Sequence, residues 1–378
     1  MNVPEQLVTP VFQFGTSRFL QAHADLFIHE AREAGEAAGP VTVVAISGSA
    51  AGRARLQALA HRDGYPVIIR GMEAGKTTER EIRVKSIGRA LDAETDWTQL
   101  VDLFAGQAEF VISNTTEAGL SMPPDLTVDL FDRSAKPPPG YPAKLLVLLA
   151  ARHAASANPV VVLPTELLPR NGDVLRDLVM GLARRSRASD SLLGFLTEKC
   201  VFANSLVDRI VSSAIEPAGA IAEPYALWAI EEQSGLRLPC RHPALEVVGD
   251  LDLTQRLKLH ILNLGHTVLA HLWLTGGLRP ELTVREILAA PQFRQMLLDI
   301  YVSEVIPGFR SNGFERQAFV YMATTLERFD NPFLDHRLAD IAAGHATKVH
   351  RRIGGFLEWI PARRRDGCPR LSQIVGQV

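Results

Sequence analysis

Short runs that tolerate water on neither side constrain this chain most. Val41-Thr42-Val43-Val44-Ala45-Ile46, Phe110-Val111-Ile112-Ser113 and Pro159-Val160-Val161-Val162-Leu163 are nearly continuous apolar stretches rather than alternating ones. A strand of this kind is buried on both faces, and sheets covered on both faces are mostly parallel, with helices as the cover. The segments between supply the helices: Phe19 to Ala34, Pro142 to Ala155 and Val174 to Arg185 repeat apolar residues at helical spacing. Pro10 to Phe14 is a β-prone run ending at Gly15, so the chain opens as strand, glycine turn, helix, as dinucleotide folds do. Pro66 to Arg70 and Ile82 to Ile87 are expected as strands, a hairpin across Gly71–Lys76, and Leu192 to Thr197 as a last strand.

Near Cys200 the texture changes. Amphipathic patterns over Asn204–Ala214, Tyr225–Gln233, Thr254–Leu274, Thr283–Ile306, Phe314–Phe329 and His336–Ile353 predict helices. The expected fold is therefore α/β: a Rossmann-like doubly wound sheet over residues 1–200, then an all-α C-terminal domain over residues 201–378. A chain of 378 residues is long enough for two such domains.

Charge excludes some partners. With 40 basic and 42 acidic residues the net charge is −2, so no global field favours nucleic acid or an anionic membrane surface. The expected partner is a small molecule, with the protein a monomer or small homo-oligomer. Cys200, Cys240 and Cys368 show no paired spacing, which argues against a disulfide framework and for a reducing compartment. The first residues lack a basic region followed by an apolar run, so a cytoplasmic location is expected.

The polar residues at strand ends are the candidate cofactor contacts. The turn Gly15-Thr16-Ser17-Arg18-Phe19 departs from Gly-x-Gly-x-x-Gly: Ser17 stands where the second glycine would admit a pyrophosphate most closely. Ser47-Gly48-Ser49 follows the second strand with no acidic residue for a ribose, while Arg53 and Arg55 could accept a 2′-phosphate or simply line a solvated helix face. Asn114 and Thr115 close the Phe110 strand. NAD or NADP is the cofactor these positions suggest.

Lys258-Leu-His-Ile-Leu-Asn263-Leu-Gly-His266 lies in the apolar run Leu253–Leu274. At about 100° per residue Lys258 and His266 nearly coincide, with Asn263 to one side. A lysine losing hydration in such surroundings is pushed toward a pKa at which it exchanges protons near neutrality, as a ketone–alcohol interconversion requires. Taken singly, each residue has a plainer reading: a lysine can snorkel, and a histidine can be a satisfied core residue.

At Asn204-Ser-Leu-Val-Asp-Arg-Ile210 the chain resembles the Asn-Ser/Thr-x-Val-Asp-Arg-Ile signature of the mannitol dehydrogenase family of long-chain polyol and hexuronate dehydrogenases. Lys258-x4-Asn263-x2-His266 is similar to that family's catalytic signature. Further similar pieces are Gly15–His23, Ile112–Gly119, Pro164–Gly172, Glu223–Trp228 and Arg328–Pro332. The resemblance implies Lys258 as general acid/base, Asn204 and Asn263 as donors to the reacting oxygen, and His266 as orienter of substrate hydroxyls. It also implies a hydride-carrying nicotinamide cofactor and no metal. Lys348, Glu223 and His336 are the implied substrate contacts. Lys348, Arg310 and His336 are the candidates for holding a substrate carboxylate. Asp340 stands where polyol members carry arginine, and Asn114-Thr-Thr-Glu-Ala-Gly119 leans to the tagaturonate reductase branch. The expected function is NAD(P)-dependent oxidation and reduction of an open-chain sugar acid or hexitol. The alternatives are a non-catalytic sugar or dinucleotide sensor on the same scaffold, and a zinc enzyme using His260, His266 and His271, which the offsets of these residues and the lack of a cysteine ligand disfavour.

Overall fold

The structure is a computed structural model that describes residues 7–46, 50–130 and 136–378. The strands, in chain order, are β1 (Val11–Phe14), β2 (Val41–Ala45), β3 (Tyr65–Glu73), β4 (Lys76–Val84), β5 (Ile87–Asp92), β6 (Phe110–Ser113), β7 (Val160–Pro164), β8 (Cys200–Phe202), β9 (Ser205–Asp208), β10 (Val211–Ala214), β11 (Ala220–Ala222), β12 (Leu227–Glu231) and β13 (Leu245–Val248). The chain forms two compact units. The first comprises Met1–Ile69, Arg80–Ala222 and Ala226–Leu251; the second comprises Arg70–Glu79, Glu223–Tyr225 and Asp252–Val378.

The first unit is built on a six-stranded parallel sheet of order β5-β2-β1-β6-β7-β8. Its apolar runs behave as double-faced strands. Phe12, Phe14, Val44, Val111, Val160 and Val162 pack into one core, with the helices Trp97–Gln107, Tyr141–Ala155 and Asn171–Arg185. The alternate residues Val11, Val41, Val43, Ile112, Val161 and Leu163 pack into the other, with the helix Ala24–Glu33. Each such buried side chain contributes about 1.5–3 kcal/mol relative to exposure. Two smaller sheets complete the strands: β10-β11-β3-β4, and β13-β12-β9 with β12 antiparallel to β9.

Several expected elements differ. Phe19–Ala34 is two helices, Arg18–Gln21 and Ala24–Glu33, because the chain breaks at Ala22–His23. The Ala22 carbonyl there accepts from Arg209, and the buried His23 ring bonds the Leu227 carbonyl at 3.1 Å. Leu192–Thr197 is not a strand; it lies in the helix Asp190–Glu198, which Ser189 caps by accepting from the Leu192 N–H at 3.3 Å. Asn204–Ala214 and Tyr225–Gln233 are not helices but contain β9, β10 and β12. β12 is buried on both faces, and periodicity cannot separate a short strand of that kind from a buried helical turn. The continuously helical part of the chain therefore opens at Asp252.

The second unit packs its helices around Leu257, Ile261, Leu264, Val268, Tyr301, Phe309 and Phe356, all buried. The expected Thr283–Ile306 helix is interrupted at Ala290, where Pro291 starts a new helix. Among the described residues no helix is long and apolar enough to cross a membrane.

Candidate active site

In the first unit the sheet order reverses between β1 and β6. β1 leads outward through β2 to β5, and β6 leads the other way through β7 to β8. The crevice beyond the carboxyl ends of two such strands is where open parallel sheets bind ligands. Gly15, at the end of β1, has φ +118° and donates its N–H to the Val44 carbonyl at 3.0 Å. A Cβ there would lie 2.8 Å from the Asn114 carbonyl oxygen at the end of β6, so only glycine lets the two loops meet this closely. Ser17 caps the short helix that follows, accepting from the Leu20 N–H at 3.2 Å, and Phe19 stacks on His23 at 4.6 Å. The Thr16 carbonyl accepts from Gln21 at 3.1 Å. Arg53 is exposed on the helix Ala50–Leu59. Ser47, Gly48 and Ser49 lie outside the described residues.

The other wall of the crevice is fixed from β7. Asn114 donates to the Thr165 carbonyl and hydroxyl, both at 3.2 Å. Thr115 gives its N–H (2.9 Å) and hydroxyl (3.2 Å) to one oxygen of Glu166, and Ser113 gives its hydroxyl to the other at 3.2 Å. Burial pushes the Glu166 carboxyl up in pKa, with these donors opposing the shift. A glycine with positive φ at the switch point and small polar residues on the facing strand fit a dinucleotide. Glu166, which positions Thr115, was missed by sequence reasoning; its place directly after β7 was the available signal.

Asn204 also lies in the first unit, just before β9. Its amide nitrogen donates to Glu231 at 2.7 Å and to Asp173 at 3.2 Å, and its oxygen accepts from the Asp173 N–H at 3.1 Å. Both amide protons are thus engaged, and a bond to a substrate oxygen requires one of them to be exchanged.

Lys258, Asn263 and His266 belong to the second unit, on one helical run from Asp252 to Thr275. The run is not a regular α-helix: Lys258–Asn263 is a π-helical turn. An i→i+5 turn admits an extra residue and re-aims the side chains around it, and such turns recur at functional sites. Its backbone carbonyls are engaged by side chains from within the run and from other helices. Tyr301, fully buried, donates its hydroxyl to the Ile261 carbonyl at 2.9 Å. The Asn263 carbonyl accepts from the Thr267 hydroxyl at 2.9 Å and from Arg352 at 3.3 Å. Gly265 makes room: a Cβ there would sit 1.9 Å from the Tyr301 oxygen. Lys258 itself is half-buried.

The expected substrate contacts lie in this unit as well. The His266 ring packs on Phe329 at 4.5 Å and meets His336 edge-on at 5.6 Å. Burial, then the charge of Arg328, pushes His336 down in pKa, which favours its neutral form. Lys348 donates to the Ile341 carbonyl at 2.7 Å. Glu223 receives a two-pronged contact from Arg328 at 2.7 and 3.0 Å, with both side chains buried and Arg328 lying 4.3 Å over the Tyr225 ring. Arg310 is exposed and bonded to Glu315. His260 bonds the Arg352 carbonyl at 3.0 Å, and His271 bonds His345 at 3.3 Å and Gln377 at 2.9 Å; the rings of His260, His266 and His271 thus have separate partners.

Comparison with known proteins agrees with this layout. The mannitol dehydrogenase Rossmann domain matches residues 9–239, and the mannitol dehydrogenase C-terminal domain matches residues 250–364. Altronate oxidoreductase of Halalkalibacterium halodurans is 31% identical over 92% of this chain and 70% of its own length. Altronate oxidoreductase of Bacillus subtilis is 29% identical over 90% of this chain and 73% of its own. Among solved structures, a D-sorbitol dehydrogenase in substrate-free form superposes with a TM-score of 0.79 at 20% identity, covering 93% of this chain and 76% of that one. The Pseudomonas fluorescens mannitol 2-dehydrogenase, solved with NAD and D-mannitol, gives 0.69 at 19% identity, covering 98% of this chain and 79% of that one. These last two likenesses speak to the fold. On the two domain matches and the similarity to the altronate oxidoreductases, this chain belongs to the mannitol dehydrogenase family.

Proposed function

We propose that this protein interconverts the secondary alcohol and ketone of an open-chain sugar acid of the altronate–tagaturonate type. NAD or NADP, bound at the carboxyl ends of β1 and β6, supplies the hydride acceptor or donor. Lys258 exchanges the proton of the reacting oxygen. The Asn263 side chain donates to that oxygen as charge develops, and Asn204 does so once it releases one of its carboxylate partners. His266, braced by Phe329 and His336, orients substrate hydroxyls.

One observation carries the reading: the lysine, the asparagine and the histidine sit in and beside a π-helical turn whose carbonyls Tyr301 and Thr267 engage. A sugar acid is preferred over a hexitol because relatives 29–31% identical over nine-tenths of the chain bear the altronate oxidoreductase name.

The test is nicotinamide absorbance with purified protein, offered altronate and hexitols with NAD⁺ and NADP⁺, and tagaturonate with the reduced forms. Turnover of altronate and tagaturonate is expected, and it should survive a chelator. Turnover of hexitols alone would replace the sugar acid by a polyol. Binding without turnover of any of them would favour a sensor.

A further inference from the structure

Arg352 is half-buried, fixed in position and without a carboxylate partner among the described residues. It lies in the π-helical turn His350–Gly354, which continues from the helix His345–Val349 that carries Lys348. One of its nitrogens, Nη1, donates to the Asn263 carbonyl at 3.3 Å and to the Thr267 hydroxyl at 3.0 Å. Its own carbonyl holds the His260 ring at 3.0 Å. The guanidinium is therefore pinned against the turn that bears Lys258 and Asn263.

Those bonds use Nη1 alone. Among the described residues no carboxylate pairs with Arg352. Burial lowers its pKa first, and the neighbouring charge of Arg351 has the same sign and lowers it further; Lys348, also cationic, feels the charge of Arg352 in turn. Even partial removal of a cation from water without a counter-ion is costly, and folds that keep one generally pair it. The unused edge of the guanidinium, Nε and Nη2, is a planar fork that matches a carboxylate.

The other basic candidates fit less well. Lys348 spends a donor on the Ile341 carbonyl, Arg310 is exposed and bonded to Glu315, and the half-buried His336 is held toward its neutral form. We propose that Arg352 binds the carboxylate of the substrate through its Nε–Nη2 edge and so selects sugar acids over the corresponding alditols. The proposal rests on the sugar-acid reading above.

The test compares kcat and KM for altronate and for altritol, in which a CH₂OH group replaces the carboxylate, in the parent, Arg352→Gln and Arg352→Lys. Circular dichroism and the affinity for NAD⁺ are followed alongside. Arg352→Gln should raise KM for altronate so that kcat/KM falls by about 100-fold, leaving kcat within several-fold and cofactor affinity unchanged. The preference for altronate over altritol should shrink accordingly. Arg352→Lys, which keeps the charge and loses the fork, should fall between. A loss confined to kcat, or an equal loss on both substrates, would make Arg352 a brace of the turn and overturn the assignment. If Arg352→Gln does not fold, Arg352→Lys decides: a raised KM with kcat retained supports the assignment, and an unchanged KM defeats it. A parent active on altronate whose Arg352→Gln form keeps its KM refutes Arg352 alone. A parent active on altritol and not on altronate refutes the sugar-acid reading, and this ligand with it.

Discussion

Glu223 illustrates how far single residues can be read from sequence. The family resemblance implied a substrate contact there; in the structure both its oxygens meet Arg328, a partner 105 residues away in the chain. No local pattern records a pairing at that distance. Breaking a buried pair from one side strands the other charge, so Arg328→Ala should destabilise the protein by about 3–5 kcal/mol in denaturant unfolding. A loss below about 1 kcal/mol would mean the pair is solvated in solution. Gly15 is the opposite case. The requirement for glycine at the end of the first strand was legible, and the close approach of the Asn114 carbonyl gives its physical cause. Asn204 was legible as a polar residue in a signature, but its engagement by Asp173 and Glu231 was not, because those partners come from a separate helix and strand.

Among the elements, the run from Asp252 to Thr275 was readable as a helix and its π-helical turn was not. Apolar spacing reports which side faces the core; it does not report that one turn has shifted to i→i+5 bonding, which depends here on Tyr301 reaching across from another helix. Gly265→Ala should therefore cost about 3 kcal/mol, at the upper end of overpacking, since the new methyl group collides with the Tyr301 oxygen. Tyr301→Phe should cost about 1–2 kcal/mol by leaving the Ile261 carbonyl without that donor. The double variant removes the oxygen the methyl group strikes, so its loss should be smaller than the sum of the two; strict additivity in chemical denaturation would contradict the proposed contact. The misread elements have a related cause. β12 and the helix Asp190–Glu198 are short and apolar, and for the helix the Ser189–Asp190 start was the better signal.

At the scale of the whole molecule, the two-part texture was legible because double-faced strands stop and helical spacing takes over; the strands between Ser205 and Val248 blurred where that change falls. The same scale is where a buried charge shapes stability. Asp25 is fully buried beside Tyr65 (2.9 Å) and Gln13 (3.4 Å), and burial raises its pKa from 3.8 to about 7 against the pull of both donors. Between those values the folded state holds a proton that the unfolded chain has released, so stability should fall as pH rises from about 4 to about 7 and level off above. Asp25→Asn, neutral at every pH, should flatten this slope in a series of melting temperatures; an unchanged slope would assign it to other groups. The proposed chemistry stands on Lys258. The measurement that tests it most directly is turnover of altronate by the parent and by Lys258→Ala, with cofactor affinity determined in parallel. If Lys258 is the general acid/base, Lys258→Ala loses roughly 10²–10⁴-fold in kcat with cofactor affinity retained; a variant within a few-fold of the parent would contradict that role.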